Sequence, residues 1–182
     1  MKTLLIVFYS LTGGTRHMAE AAFRGAASEA GTHARLLQAP DARPADVLAA
    51  DGYMFATPEN LAAIAGLMKD FFDRTYYPAL ERINGRPYAT LICAGSDGHN
   101  AARQITRIAT GWRLRPIAEP LIVCTRAQTP EAIQAPKVSD MTIWPAVRSL
   151  EQHLQQVWQW ESSEAPTRCS LLNPNPNCAR SK

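Results

Sequence analysis

The densest potential chemistry lies in Ser10-Leu11-Thr12-Gly13-Gly14-Thr15, where the apolar run TLLIVFY (3–9) gives way to a helical pattern. The hydroxyls of Ser10, Thr12 and Thr15 can donate to phosphate oxygens. Gly13 and Gly14 let backbone N–H groups point inward with no Cβ in the way. A helix that starts here adds its unpaired amides and the positive end of its dipole. No G-K-[ST] follows, so this is not the triphosphate cradle of a P-loop. G-x-G-x-x-G is also absent, which argues against a dinucleotide site. A terminal monophosphate held by hydroxyls and amides fits the pattern better. The plainer alternative is a capped turn with Thr12 as N-cap.

Positioning such a loop requires a strand before it and a helix after it, and the chain repeats that alternation. Five apolar runs read as parallel strands buried on both faces: 3–9, the weaker HARLLQ (33–38), GYMFAT (52–57), YATLICAG (88–95) and EPLIVC (119–124). Helical spacing appears over 14–29, with Gly31 as a stop, in one turn at 45–50, and over 64–74, 100–110 and 144–160. The reading is an α/β three-layer sandwich: a five-stranded parallel sheet of order 2-1-3-4-5 with helices on both faces. In that order, ligands bind beyond the carboxyl ends of the first, third and fourth strands. Three loops rich in small or polar residues should therefore meet: Ser10–Thr15, Thr57-Pro58-Glu59-Asn60-Leu61-Ala62 and Gly95-Ser96-Asp97-Gly98-His99-Asn100.

Composition sets the outer bounds. A chain of 182 residues suits one domain, and 46% hydrophobic with 19% charged residues describes an ordinary soluble globular protein. The net charge of +3 comes from scattered arginines, so no nucleic-acid stripe is present. TLLIVFY is too short to span a membrane, and no A-x-A-like cleavage site follows it, so the expected location is cytoplasmic. Cys93, Cys124, Cys169 and Cys178 lack metal-ligand spacing. Cys93 and Cys124 fall within strand runs and read as inert buried thiols. Residues 1–160 form the expected domain, and 161–182, rich in Ser, Pro and Asn, an expected disordered tail.

Ser10-Leu11-Thr12-Gly13-Gly14-Thr15 resembles the S/T-x-T-G-x-T phosphate loop of the flavodoxin-like superfamily, which binds FMN. Thr57-Pro58-Glu59-Asn60, followed by Gly66-Leu67-Met68-Lys69-Asp70-Phe71-Phe72-Asp73-Arg74, is similar to a segment of NAD(P)H-dependent FMN reductases and of quinone reductases related to flavodoxin. The resemblance covers roughly residues 1–160. It implies that Ser10, Thr12, Gly13, Gly14 and Thr15, with Leu11 between them, hold the FMN phosphate. It implies further that Pro58, Glu59, Asn60 and Leu61 line the isoalloxazine, next to Thr57. Ser96, Asp97, Gly98 and His99, after Gly95, would form the far wall near the pyrimidine side. No separate catalytic residue is implied, because the flavin carries the chemistry.

Two departures favour an enzyme over an electron carrier. Neither the 57–62 nor the 95–100 segment contains Trp, Tyr or Phe, whereas flavodoxins sandwich the flavin between aromatic rings. The chain is net positive, whereas flavodoxins are acidic around the flavin, and a less negative pocket stabilises the anionic reduced flavin. The implied activity is two-electron transfer from NADH or NADPH to a quinone or similar acceptor. Alternatives are an electron carrier serving a redox partner protein, or a flavodoxin-like protein that has lost flavin.

Single residues divide between site and scaffold. His99 either donates to flavin or acceptor or stays a solvated loop histidine. Glu59 either aims at the substrate or caps the helix that follows it, and the cap is the preferred reading. Arg16 either neutralises a phosphate or is solvated. Lys69, Asp70, Asp73 and Arg74 read as surface or interface charges, with Asp70–Arg74 an i,i+4 pair. Phe71, Phe72, Tyr76 and Tyr77 read as core, with a homodimer contact beside the flavin as the alternative. Trp112 reads as a packing anchor.

Overall fold

The computed structural model describes residues 1–127, 129–135, 152 and 156–159. Along the chain come β1 (Lys2–Phe8), α1 (Gly14–Ser28), β2 (Thr32–Gln38), α2 (Pro44–Ala49) and β3 (Gly52–Asn60). These are followed by β4 (Ala63–Ile64), α3 (Gly66–Ala79), β5 (Pro87–Ala94) and α4 (His99–Gly111). Then come β6 (Arg115–Pro116), β7 (Leu121–Cys124) and α5 (Pro130–Gln134). The closing helix expected over 144–160 lies mostly outside the described residues, of which 152 and 156–159 are helical. The tail at 161–182, with Cys169 and Cys178, lies outside them entirely.

The strands form the parallel order β2-β1-β3-β5, with β6 and β7 both paired to β5. This is the flavodoxin-like arrangement expected from the sequence, built from seven strands instead of five. One difference is a split of the last strand. After β6, the Ile117 N–H still bonds the Tyr88 carbonyl at 3.0 Å, and pairing then lapses until Leu121. Pro120 has no N–H to offer a ladder there. The other difference corrects the reading of 57–60 as a loop. These residues continue β3, and at Leu61-Ala62 the chain turns back into β4 with Glu59 opposite Ile64 and Asn60 opposite Ala63. Leu61 (φ 49°) and Ala62 (φ 59°) are both left-handed, the tight hairpin geometry that normally favours Gly or Asn.

Each face of the sheet is buried against helices. On one face Phe55 sits among the rings of Tyr53, Phe71, Phe72, Tyr88 and Trp112, with Phe72 5.0 Å away edge-on. Phe71, Phe72 and Trp112 are thus core, as read, whereas Tyr77 is 82% exposed. On the other face α1 presents Met18, Ala19, Ala22 and Ala26 to β1, joined by Trp158. The small alanines let the helix axis come close to the sheet. Cys124 corrects its buried reading: it is exposed because it ends β7, whose other residues are only half-buried. Cys93 is half-buried.

Polar links, most of them half-buried, tie loops to this frame. Arg74 keeps its Asp70 pair at 2.6 Å and also donates to the carbonyls of Ala39 (2.8 Å) and Ala42 (3.1 Å), so it is more than a surface charge. Arg86 reaches the end of α2, donating to the carbonyls of Leu48 (2.9 Å) and Ala50, where a cation complements the helix dipole. Asp46 accepts from the Arg35 guanidinium at 2.5 Å and from the Arg43 N–H at 2.9 Å. Burial pushes the Asp46 carboxyl upward, but these two bonds and the arginine charges outweigh it, and the pKa lies below the ordinary value. The stability from a lowered pKa is fully present above the unfolded value, near ~3.9. It is lost as pH falls through the folded value. Asp46→Asn should therefore cost about 1–3 kcal/mol at pH 7. In urea melts across pH 2–7, the gap between variant and parent should close toward the acid end; a gap independent of pH would contradict this.

Candidate functional site

A cleft of about 270 Å³ opens where the carboxyl ends of β1, β3, β5 and β7 meet. Ser10, Leu11, Thr12 and Thr15 line it from the first loop, and Pro58, Glu59 and Asn60 from the end of β3. Gly95 contributes from the third loop. The fourth side is Thr125, Ala127 and Ile133, which the sequence reading missed. The signal was available: the fifth apolar run is parallel to the others, so the loop after it emerges at the same edge. Cys93 and Ala94, at the end of β5, also face the cleft. No lining residue among those described carries an aromatic ring.

The floor of the first loop is the start of α1. Its N-cap is Gly13, in a left-handed conformation (φ 93°), and no side chain caps the helix. The capped-turn alternative, with Thr12 as cap, therefore does not hold. Ser10 Oγ accepts from the Gly13 N–H at 3.1 Å and shapes the turn. The first helical bond runs from His17 N–H to the Gly13 carbonyl, so the amides of Gly14, Thr15 and Arg16 have no intrahelical acceptor. Gly14 is buried beneath the loop, and Arg16 is exposed beside it. Thr15 is 1% exposed, and its Oγ1 has no hydrogen-bond partner. A buried hydroxyl without a partner at a helix N-terminus is costly to the folded chain alone, and a phosphate oxygen would satisfy it.

In the second segment, Pro58, Glu59 and Asn60 line the cleft, while Thr57 and Glu59 also bond the frame. Thr57 is fully buried; its hydroxyl accepts from the Ala65 N–H at 3.2 Å and so joins β3 to the start of α3. Glu59 does not cap α3, the helix that follows it, as the sequence reading had it. Its Oε2 accepts from the Gly98 N–H at 2.7 Å, and its Oε1 from the Ala101 N–H at 3.2 Å. Glu59 therefore fills the N-terminus of α4, nearly 40 residues downstream. Leu61 stands fully exposed at the hairpin tip.

The third segment divides. Gly98 is buried and left-handed (φ 88°), and a Cβ there would lie 2.6 Å from Ile122 Cγ2 and 3.1 Å from Ala94 Cβ. Its glycine serves close packing against β5 and β7. Ser96, Asp97 and His99 are exposed and do not line the cleft. His99 faces a separate groove along α4, with its Nε2 3.9 Å from Asp97 Oδ1.

Residues 38–128, half the chain, match the family model of NADPH-dependent FMN reductases. The chain belongs to that family. Among curated relatives, a flavodoxin from Aquifex aeolicus is 34% identical over 98 residues, covering 54% of this chain and 53% of the relative. An NAD(P)H dehydrogenase (quinone) from Acidithiobacillus ferrooxidans is 32% identical over 95 residues, 41% of this chain and 48% of its own. The chain spans about half the length of the curated relatives it matches. Among solved structures, the WrbA-like flavodoxin from Agrobacterium tumefaciens superposes with a TM-score of 0.63 at 17% identity, covering 86% of this chain and 99% of that one. Flavodoxin 1 from Bacillus cereus gives 0.67 at 13% identity, over 85% and 98%. These last two establish the fold of the FMN reductase-family chain. Its family match begins beyond residues 10–15, so the first loop stands on its own geometry.

Two substitutions separate ligand site from scaffold. Thr15→Val removes the partnerless hydroxyl at nearly constant shape and should stabilise the ligand-free protein by about 1 kcal/mol. Gly98→Ala meets both a positive φ and a 2.6 Å contact and should destabilise it by about 2 kcal/mol or more. Thermal melts of the ligand-free variants check both signs, and a destabilised Thr15→Val would mean that the hydroxyl has a partner in the protein.

Proposed function

We propose that the cleft binds FMN and that the chain is an NAD(P)H-dependent oxidoreductase acting on a quinone or similar small acceptor. The observation that carries the reading is the buried, partnerless Thr15 hydroxyl beside the open amides of α1. Together they offer a dry, donor-rich seat for a dianion with no lysine in the loop, which suits a monophosphate. Ser10, Thr12, Gly13, Gly14 and Thr15 would hold the phosphate. Pro58, Asn60 and Gly95 would stand along the flavin, with Leu11 and Leu61 at its rim. The cleft volume is below that of sites enclosing a whole drug-sized ligand, so the ring system would lie partly open to solvent.

When bound, FMN would supply two-electron chemistry between NADH or NADPH and the acceptor. In balance, NAD(P)H, a proton and a quinone give NAD(P)⁺ and a hydroquinone. The chain's own residues bind and orient. The hydroxyls and amides of the first loop anchor the phosphate, while the end of β3 fixes the wall along which donor and acceptor approach. With no aromatic side chain among the described lining residues, a flat substrate can approach the exposed flavin face. The curated relatives, a flavodoxin and quinone-acting NAD(P)H dehydrogenases, bracket this choice. The open face favours small molecules over a protein partner, and the expected setting is the cytoplasm.

Steady-state oxidation of NADH and NADPH with benzoquinone, run against free FMN, is the test. The expected result is turnover well above free FMN with protein that purifies with, or takes up, one flavin. Flavin uptake without turnover above free FMN would overturn the enzyme reading in favour of a carrier. No flavin uptake at all would overturn the cofactor reading.

A further inference from the structure

We propose that Glu59, Asn100 and Gln104 form a latch by which α4 holds the β3–β4 hairpin, and with it the Pro58–Asn60 wall of the cleft, in its ligand-ready position. The proposal rests on the reading of the cleft as a flavin site. Glu59 faces the cleft, yet both its carboxylate oxygens are spent on the Gly98 and Ala101 amides of α4. Asn100 and Gln104 sit one turn apart on α4 and therefore share a face. Asn100 Nδ2 donates to the Ala62 carbonyl at the hairpin tip, and Gln104 Oε1 accepts from the Ile64 N–H at 3.2 Å. The same hairpin is thus gripped from α4 at its tip, through β4 and at Glu59.

The grip has something to oppose. Leu61 and Ala62 both hold left-handed backbone without being glycine, and such conformations persist where surrounding contacts over-determine them. Leu61 buries nothing, so packing of the tip residue does not supply that constraint. β4 is two residues long, a ladder too short to hold a hairpin alone. The Thr57 hydroxyl, accepting from the Ala65 N–H, and the buried Ile64 side chain hold the base of the hairpin, and the bonds of Glu59, Asn100 and Gln104 fasten its upper part to α4. A carboxylate at Glu59 suits the task because it accepts from two amides at once and completes the α4 dipole. A Gln at that position offers one acceptor, and its amide group would confront the second N–H donor to donor.

Amide hydrogen exchange in ligand-free protein, resolved by residue, together with FMN titration by fluorescence, tests the latch. In Glu59→Gln, and separately in the pair Asn100→Ala with Gln104→Met, exchange at Ile64 should quicken about tenfold or more while the amides of β1 and α1 hold their rates. Gly98 and Ala101 should quicken with them in Glu59→Gln. The dissociation constant for FMN should rise about tenfold in both. Gln104→Glu, which keeps an acceptor for the Ile64 N–H, should restore protection there relative to Gln104→Met. Unchanged exchange at Ile64 in both variants would overturn the latch, and so would faster exchange with unchanged FMN affinity. Loss of protection throughout the sheet would also overturn it, since the contacts would then serve global stability. If the unmodified protein takes up no FMN, the cofactor reading fails, while exchange in the ligand-free protein still decides whether the hairpin is held from α4.

Discussion

A parallel sheet buried on both faces constrains everything else in this molecule. Each strand must hand the chain to a helix at the same edge, so the helix N-termini, with their unpaired amides, gather there. Two of them matter, and they are treated differently. The N-terminus of α4 is filled from within by Glu59, through bonds to Gly98 and Ala101. That of α1 is left open, with no side-chain cap and with the Thr15 hydroxyl buried and partnerless beside it. One end is closed by the protein's own carboxylate. The other is ready for an anion from outside.

That contrast also separates scaffold from site among residues of similar type. Gly13 and Gly98 are both left-handed N-caps. A Cβ on Gly13 would meet nothing within 4 Å, whereas one on Gly98 would strike Ile122 and Ala94. The first glycine shapes a space, and the second allows backbone to pack against side chains. Thr57 and Thr15 divide in the same way: both are buried, but the Thr57 hydroxyl is engaged by Ala65 and that of Thr15 is not.

Much of this was legible in the sequence because it is local. Continuous apolar runs identify strands buried on both faces, and the hydroxyl-glycine loop after the first of them is contiguous. What escaped depended on contacts distant in sequence. The residues TPEN read as a loop because Pro, Glu and Asn are poor strand formers, yet parallel pairing with Ile92 and Cys93 carries β3 through Thr57 and Pro58, and antiparallel pairing with Ala63 and Ile64 carries it through Glu59 and Asn60. Nothing near Glu59 announces Gly98 as its partner. Cys124 looked buried by its apolar neighbours, but it ends an edge strand and is exposed. The loop after β7 was missed as a cleft wall although the parallel order brings its carboxyl end to the same edge.

A crystal structure of the protein grown with FMN tests the account most directly. It should place the phosphate against the first amides of α1, with an oxygen within about 3.2 Å of Thr15 Oγ1. Glu59 should still hold Gly98 and Ala101. A phosphate bound elsewhere, or a Thr15 hydroxyl left without a partner in the complex, would contradict the account.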